Sequence, residues 1–241
     1  MNADYPSEVT RLLESLKKDC ASTVAEVARR TVETVDGGGL IYVFGAGHSS
    51  ILAEEAFHRA GGLIPVHPIL HDFLSPRIPP KVAGKMERLE GVAKILFERG
   101  GARKGDLMWI ASNSGINAAA IEMAQASAAA GARTVALTSL AHSKATASRH
   151  SSGKKLFELC DHVLDNHCPP GDALVDAGGA RVAAGSTIAN SFLYHWALAE
   201  ACALWTAAGK SLPIYVSANL PGGDAANEKA EARYRARIPL L

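Results

Sequence analysis

Two short turns carry the residue types best suited to holding an anion. The first, Gly45-Ala46-Gly47-His48-Ser49-Ser50, combines glycines that let backbone approach a ligand with hydroxyls that donate to one. Amides left free at the start of a following helix, and the positive end of its dipole, favour a phosphate there. The second, Ser112-Asn113-Ser114-Gly115-Ile116-Asn117, repeats the arrangement. Gly47, Ser49, Ser50, Ser112, Asn113, Ser114, Asn117, Ser139 and Ser186 are the candidate phosphate-binding residues. Taken singly, each serine reads equally well as an ordinary helix cap. Together, hydroxyls and amides hold one phosphate without a lysine.

A dinucleotide site is the rival reading. The third glycine of GxGxxG is replaced by Ser50, and no acidic residue ends the next strand near Val66, so the pattern is incomplete. Proton transfer needs a carboxylate or imidazole near such a site, and Glu55, His58 and Glu90 are the candidate catalytic residues. Glu55 and His58 stand three apart in the segment after the first turn, so a helix there puts them on one face. Glu90 also reads as a solvated carboxylate beside Arg88 and Lys94. His67, His71 and Asp72, or Cys160, His162, His167 and Cys168, are the nearest approach to a metal set. Neither has a standard zinc spacing, and the expectation is no metal and no cofactor.

These residues need elements to position them. Apolar positions from Leu12 to Thr31 recur at three- and four-residue spacing, predicting one amphipathic helix over 5–35. Residues 40–44, 107–111 and 133–137 are short β-branched and apolar runs bounded by turn residues, and 63–66 and 162–164 are two further strands. Strands alternating with helices predict an α/β, doubly wound, mainly parallel five-stranded sheet with helices on both faces. Residues 67–85 and 166–179, rich in proline or glycine, read as long loops, 86–99 as a helix, 182–199 as part of a buried helix, and 225–237 as a solvated polar helix. His195, Trp196 and Trp205 read as core or subunit-interface residues.

A net charge of +1 argues against nucleic acid or an anionic membrane as partner. Four irregularly spaced cysteines make no disulfide framework and fit a reducing compartment, so the expected location is cytoplasmic, with no leader and no membrane segment.

The glycine-serine turn, Ser112-Asn113-Ser114-Gly115, the strand ending Thr138-Ser139, and Ala184-Gly185-Ser186-Thr187 at the start of the last long helix resemble the sugar isomerase (SIS) domain family. The resemblance covers residues 5–217, taken as one domain, with 218–241 as a tail bearing a short polar helix. It implies a sugar phosphate ligand and a homo-oligomer, dimer or tetramer, with sites at subunit boundaries. Within the family the chain is most similar to the N-acetylmuramic acid 6-phosphate etherase branch, or to a relative known only as a sugar isomerase domain protein. By that likeness Ser49, Ser114 and Asn117 match phosphate-binding positions and Glu90 one catalytic glutamate. The etherase's other glutamate falls on Arg59, with Glu55 one turn earlier. The function this implies is an aldose-ketose type isomerase working by proton abstraction at C2. A lyase of the etherase type and a non-catalytic phosphosugar sensor are the alternatives. Residues 1–4 and 218–241 show no helix-turn-helix pattern, so a self-contained regulator is not the expectation.

Overall fold

The computed structural model describes residues 4–241. Its elements follow in order: α1 (Tyr5–Asp19), α2 (Ala21–Asp36), β1 (Ile41–Gly45), α3 (Ile51–Ala56), β2 (Val66–Ile69), α4 (Pro80–Arg88), α5 (Val92–Gly100) and β3 (Leu107–Ala111). Then come α6 (Ala118–Ala129), β4 (Arg133–Thr138), α7 (Leu140–Ala145), β5 (His162–Asp165), β6 (Ala173–Ala177), β7 (Ala180–Ala184), α8 (Ser186–Ala207) and α9 (Gly223–Glu231).

Five strands form one parallel sheet in the order β2-β1-β3-β4-β5. Every residue of β1 and β3 is buried, so both faces are covered, as the apolar runs predict. Ile41, Val43, Leu107 and Trp109 point to the layer that holds α2 and α8. Tyr42, Phe44, Met108 and Ile110 alternate with them and face α5 and α6. The chain runs outward in opposite directions from β1 and β3, which makes the crevice beyond their carboxyl ends the topological switch point. Both glycine-serine turns open there.

The structure corrects several boundaries. The predicted helix over 5–35 is two helices that break at Cys20, whose thiol meets the Asp165 carbonyl oxygen at 3.4 Å. The break lets α1 reach α8 and β6 while α2 runs along α8 and beneath the sheet. Strand β2 begins where the predicted one ends and contains Pro68. That proline is tolerated because β2 is an edge strand, paired only with β1. Leu63 instead bridges Ile214. The predicted helix over 86–99 is broken between α4 and α5 at Gly91, whose φ of 93° does not continue a right-handed helix. Helix α4 itself starts earlier, on Pro80. Residues 173–184, split in the sequence reading between a loop and a helix, form a β hairpin. Its turn is Gly178-Gly179, both at positive φ.

The tail is not a solvated face. Beyond α9, Tyr234 and Ile238 are buried in the layer of α5 and α6. The Arg237 guanidinium meets the buried Asp106 carboxylate at 2.6 Å, and that carboxylate also accepts the backbone N–H groups of Leu40 and Arg103, each at 2.8 Å. The tail is thus strapped across the amino ends of β1 and β3. Asp106→Ala leaves one cation, the buried Leu40 N–H and the part-buried Arg103 N–H unpaired, and is expected to cost about 3–5 kcal/mol in urea unfolding.

The strap also contacts His67, which stacks on Tyr42 and donates from Nδ1 to the Arg237 carbonyl at 3.0 Å. Burial pushes the His67 pKa below its usual value, and does the same to His71 and His162. The unfolded chain therefore takes up protons below about pH 6.5 that the folded chain does not. Stability is full above that pH and is lost as pH falls toward the folded pKa. Unfolding at pH 7.5 and 5.5 is expected to show this loss, with a smaller slope in His67→Gln.

Candidate functional site

The first turn is shaped by Gly45, where a β-carbon would lie 2.2 Å from the Ser49 carbonyl oxygen, and by Gly47 at φ 58°. Residues Gly47–Ser50 wind into a single tight helical turn. Ser50 is buried and its hydroxyl donates to the Gly47 carbonyl at 2.8 Å, so it closes the turn. Ser49 is partly exposed and shows no side-chain hydrogen bond among the described residues. His48, Ser49 and Leu52 form one wall of a small crevice, and Ser186, Thr187, Asn190 and Ser191 at the start of α8 form the other.

Thr187, Ser191 and His195 stand at i, i+4 and i+8 along α8, hence on one face. At the far end of this stripe His195 Nε2 lies 2.9 Å from Glu55 Oε1 on α3. The Arg59 guanidinium pairs with the same carboxylate. Beside it the Tyr194 hydroxyl is fully buried and stays protonated, because burial first and the Glu55 charge second raise its pKa. An imidazole and a carboxylate thus share a hydrogen bond on the two helices whose first turns form the crevice.

The second turn is held by Gly115 at φ 61°, where a β-carbon would meet the Thr138 hydroxyl at 3.0 Å. The buried Ser112 hydroxyl accepts the Gly115 N–H at 3.2 Å, which closes this turn as Ser50 closes the first. Ser114 and Asn113 are partly exposed. Asn113 Oδ1 accepts from Asn166 Nδ2 at 3.0 Å, and Asn166 Nδ2 reaches Asn190 Oδ1 at 3.0 Å. The second turn and α8 are therefore joined through one buried side chain.

Other sequence candidates have different work in this structure. The Ser139 hydroxyl caps α7 by accepting the His142 N–H and donates to the Cys168 carbonyl at 2.5 Å, with no surface exposed. Ser186 gives its hydroxyl and N–H to the Asp172 carboxylate, at 2.6 and 2.8 Å. Asn117 is buried, donates to Glu87 at 2.8 Å and accepts from Arg149 at 3.1 Å. Glu90 lies in the break between α4 and α5, where its carboxylate accepts the Ser151 N–H and hydroxyl at 2.6 and 2.8 Å. Those two bonds hold its pKa below the usual carboxylate range, which suits an anchored anion better than a base.

His58 departs most. Helix α3 ends at Ala56, Phe57 is extended, and His58 takes φ 47°. Its Nε2 turns to Glu231 at 3.2 Å, so it leaves the face that carries Glu55. The structure places Ser49 at the crevice and Glu55 on the helix that follows, sets Asn113 and Ser114 in the turn after the neighbouring strand β3, and ties His58 and Glu90 to Glu231 and Ser151. His195, Asn166 and Asn190 are candidates that sequence reasoning did not single out, of which Asn190 lines the crevice. Among the described residues no group of three or more His, Cys, Asp or Glu side chains is arranged to hold a metal ion, and no helix is long and apolar enough to cross a membrane.

Comparison with known proteins agrees with this architecture. A family model described as SIS domain matches residues 4–139. A UPF0309 protein of Shouchella clausii is 40% identical over 98% of both chains. One of Oceanobacillus iheyensis is 39% identical over 99% of this chain and 98% of its own. Among solved structures, a phosphoheptose isomerase from Neisseria gonorrhoeae superposes with a TM-score of 0.56 at 17% identity, covering 80% of this chain and 93% of that one. The Vibrio vulnificus NanR protein, complexed with ManNAc-6P, gives 0.52 at 16% identity, covering 98% and 68%.

Proposed function

The chain belongs to the SIS domain family, and on that premise we propose that it binds a sugar phosphate at the crevice between the first turn and α8, with the second turn opening at the same end of the sheet, and interconverts an aldose and a ketose phosphate. The observation that carries this reading is the Glu55–His195 hydrogen bond on the helices that wall the crevice. Ser49 and Glu55 are six residues apart, roughly 9 Å along a helix axis at about 1.5 Å per residue. That spacing suits an open-chain sugar phosphate with its ester at the turns and its carbonyl end at the pair.

In this reading the backbone amides of Gly47 and His48 and the Ser49 and Ser114 hydroxyls hold the phosphate, the Ser49 N–H being spent on the Ala46 carbonyl. The Glu55 carboxylate takes the proton from C2. The C2–H electron pair forms the C1–C2 double bond, and the carbonyl pair moves to O1, which takes a proton from the imidazolium of His195. Return of a proton to C1 and loss of the O2 proton give the ketose. Arg59 pairs with the carboxylate and orients it. Elimination of the etherase type is the weaker reading, because Glu90 is anchored to Ser151 and Arg59 stands where the etherase likeness requires a second glutamate. We assign residues 5–217 to the ligand-binding unit and 218–241 to its strap, within a cytoplasmic homo-oligomer.

Incubation with a panel of hexose, amino-sugar and heptose phosphates in deuterated water tests the reaction class. Deuterium entering at C2 with interconversion is expected for one of them. Binding without exchange would make the protein a sensor and overturn the catalytic reading.

A further inference from the structure

Asn113, Asn166 and Asn190 form a chain of side-chain amides whose orientation is dictated by one backbone group. Asn166 follows β5 and is fully buried, and its Oδ1 accepts the Cys168 N–H at 3.1 Å. A backbone N–H only donates, so the atom facing it must be the oxygen. The Asn166 Nδ2 then faces Asn113 and Asn190, at 3.0 Å each. An amide NH2 offers two protons and accepts nothing, so both neighbours must turn their oxygens toward it. Their own NH2 groups are thereby turned away.

Neither of those NH2 groups has a partner among the described residues. Asn190 is only 4% exposed, yet it lines the crevice beside His48 and Ser49. Asn190 Nδ2 is not among the buried side-chain atoms that lack a partner, so this unpaired donor opens into the crevice, where a ligand or water can meet it. Asn113 lies in the second turn next to Ser114.

We propose that this chain makes Asn113 and Asn190 two fixed donors for the dianionic phosphate of the ligand, and that Asn166 is the positioning residue that fixes them. The inference rests on reading the crevice as a phosphate site. A phosphate dianion presents acceptors only, whereas a hydroxyl or ammonium brings a proton of its own against the amide protons. Asn166→Asp keeps the acceptor for Cys168 but turns an acceptor toward both neighbours. Asn113 and Asn190 then rotate and present oxygens to the phosphate.

The test is side-chain amide NMR on the full 15N-labelled chain, with Asn113→Ala and Asn190→Ala assigning the signals and fructose 6-phosphate as probe. Without ligand, the Asn166 NH2 protons are expected to exchange with water more slowly than those of Asn113 and Asn190. Saturating ligand is expected to shift the Asn113 and Asn190 signals. In Asn166→Asp those shifts vanish even at saturation, and the dissociation constant rises at least about tenfold, as loss of charge-assisted hydrogen bonds requires. Comparing spectra at saturation separates amide reversal from simple repulsion by the new carboxylate. If Asn166→Asp does not fold, Asn166→Ser serves in its place, and the exchange order in the unaltered chain still decides. Shifts in the backbone amides of 47–50 with the Asn113 and Asn190 signals unmoved would overturn this inference and leave the phosphate site standing. Silence in both would overturn the two together.

Discussion

Glu55→Gln is expected to lower C2 hydrogen exchange by about 10²–10⁴-fold, the range general acid–base groups supply. Glutamine keeps the size of the side chain and can still meet His195, but it accepts no proton at neutral pH. Sugar phosphate affinity should change by less than about threefold, because the proposed phosphate contacts are in the turns and not at Glu55. Melting temperature should also hold, since Glu55 is partly exposed and its pairing with Arg59 lies at the surface. Glu90→Gln and His58→Gln are expected to leave exchange nearly intact, as their side chains are spent on Ser151 and Glu231. If instead Glu90→Gln abolishes exchange and Glu55→Gln does not, the proton transfer belongs to the other carboxylate. The three variants separate the roles in one assay.

Gly45→Ala is expected to disable the site through the backbone. Its new methyl would stand 2.2 Å from the Ser49 carbonyl oxygen and 2.9 Å from the Ser50 nitrogen. Those are main-chain atoms of the turn itself, so no flexible side chain can yield. The turn must move, and with it the amides and the Ser49 hydroxyl. A stability loss of about 1–3 kcal/mol in urea unfolding is expected, together with a fall in sugar phosphate affinity well beyond tenfold. Gly47→Ala is the informative contrast. Its β-carbon would meet nothing within 4 Å, and only the φ of 58° opposes it. That strain costs about 1–2 kcal/mol and leaves more of the turn in place. Equal affinity in the unaltered chain and Gly45→Ala would mean the first turn holds no ligand.

The sheet was largely legible because its strands are short apolar runs with no competing period. Residues 41–45, 107–111 and 162–165 differ from the sequence reading by a residue or less at either end. Strand β2 was displaced because a proline normally argues against a strand, and only its place at the sheet edge permits it. The β6–β7 hairpin was missed because its strands are Ala-rich and β7 is exposed throughout, leaving no alternation to read. Its Gly178-Gly179 turn was the available signal. The helix break at Cys20 had none, since the apolar spacing runs through it unbroken.

The site was half legible for a related reason. Turns are local, so Ser49, Ser114 and their glycines stand out in one dimension. His195 did not, because a histidine in an apolar helix reads as packing. Its spacing from Thr187 and Ser191 was the sign that one face of α8 is polar. His58 was misplaced because α3 stops after six residues, before the i+3 relation to Glu55 can form. The Asn113–Asn166–Asn190 chain joins residues 53 and 24 positions apart, and only the folded sheet edge brings them together.

A crystal structure of the protein soaked in fructose 6-phosphate tests the central claim most directly. The account predicts phosphate density within hydrogen-bond reach of the Gly47 and His48 amides and the Ser49 and Ser114 hydroxyls, and none in Ser49→Ala/Ser114→Ala crystals treated alike. Phosphate bound elsewhere on the molecule, with that crevice left open, would contradict it.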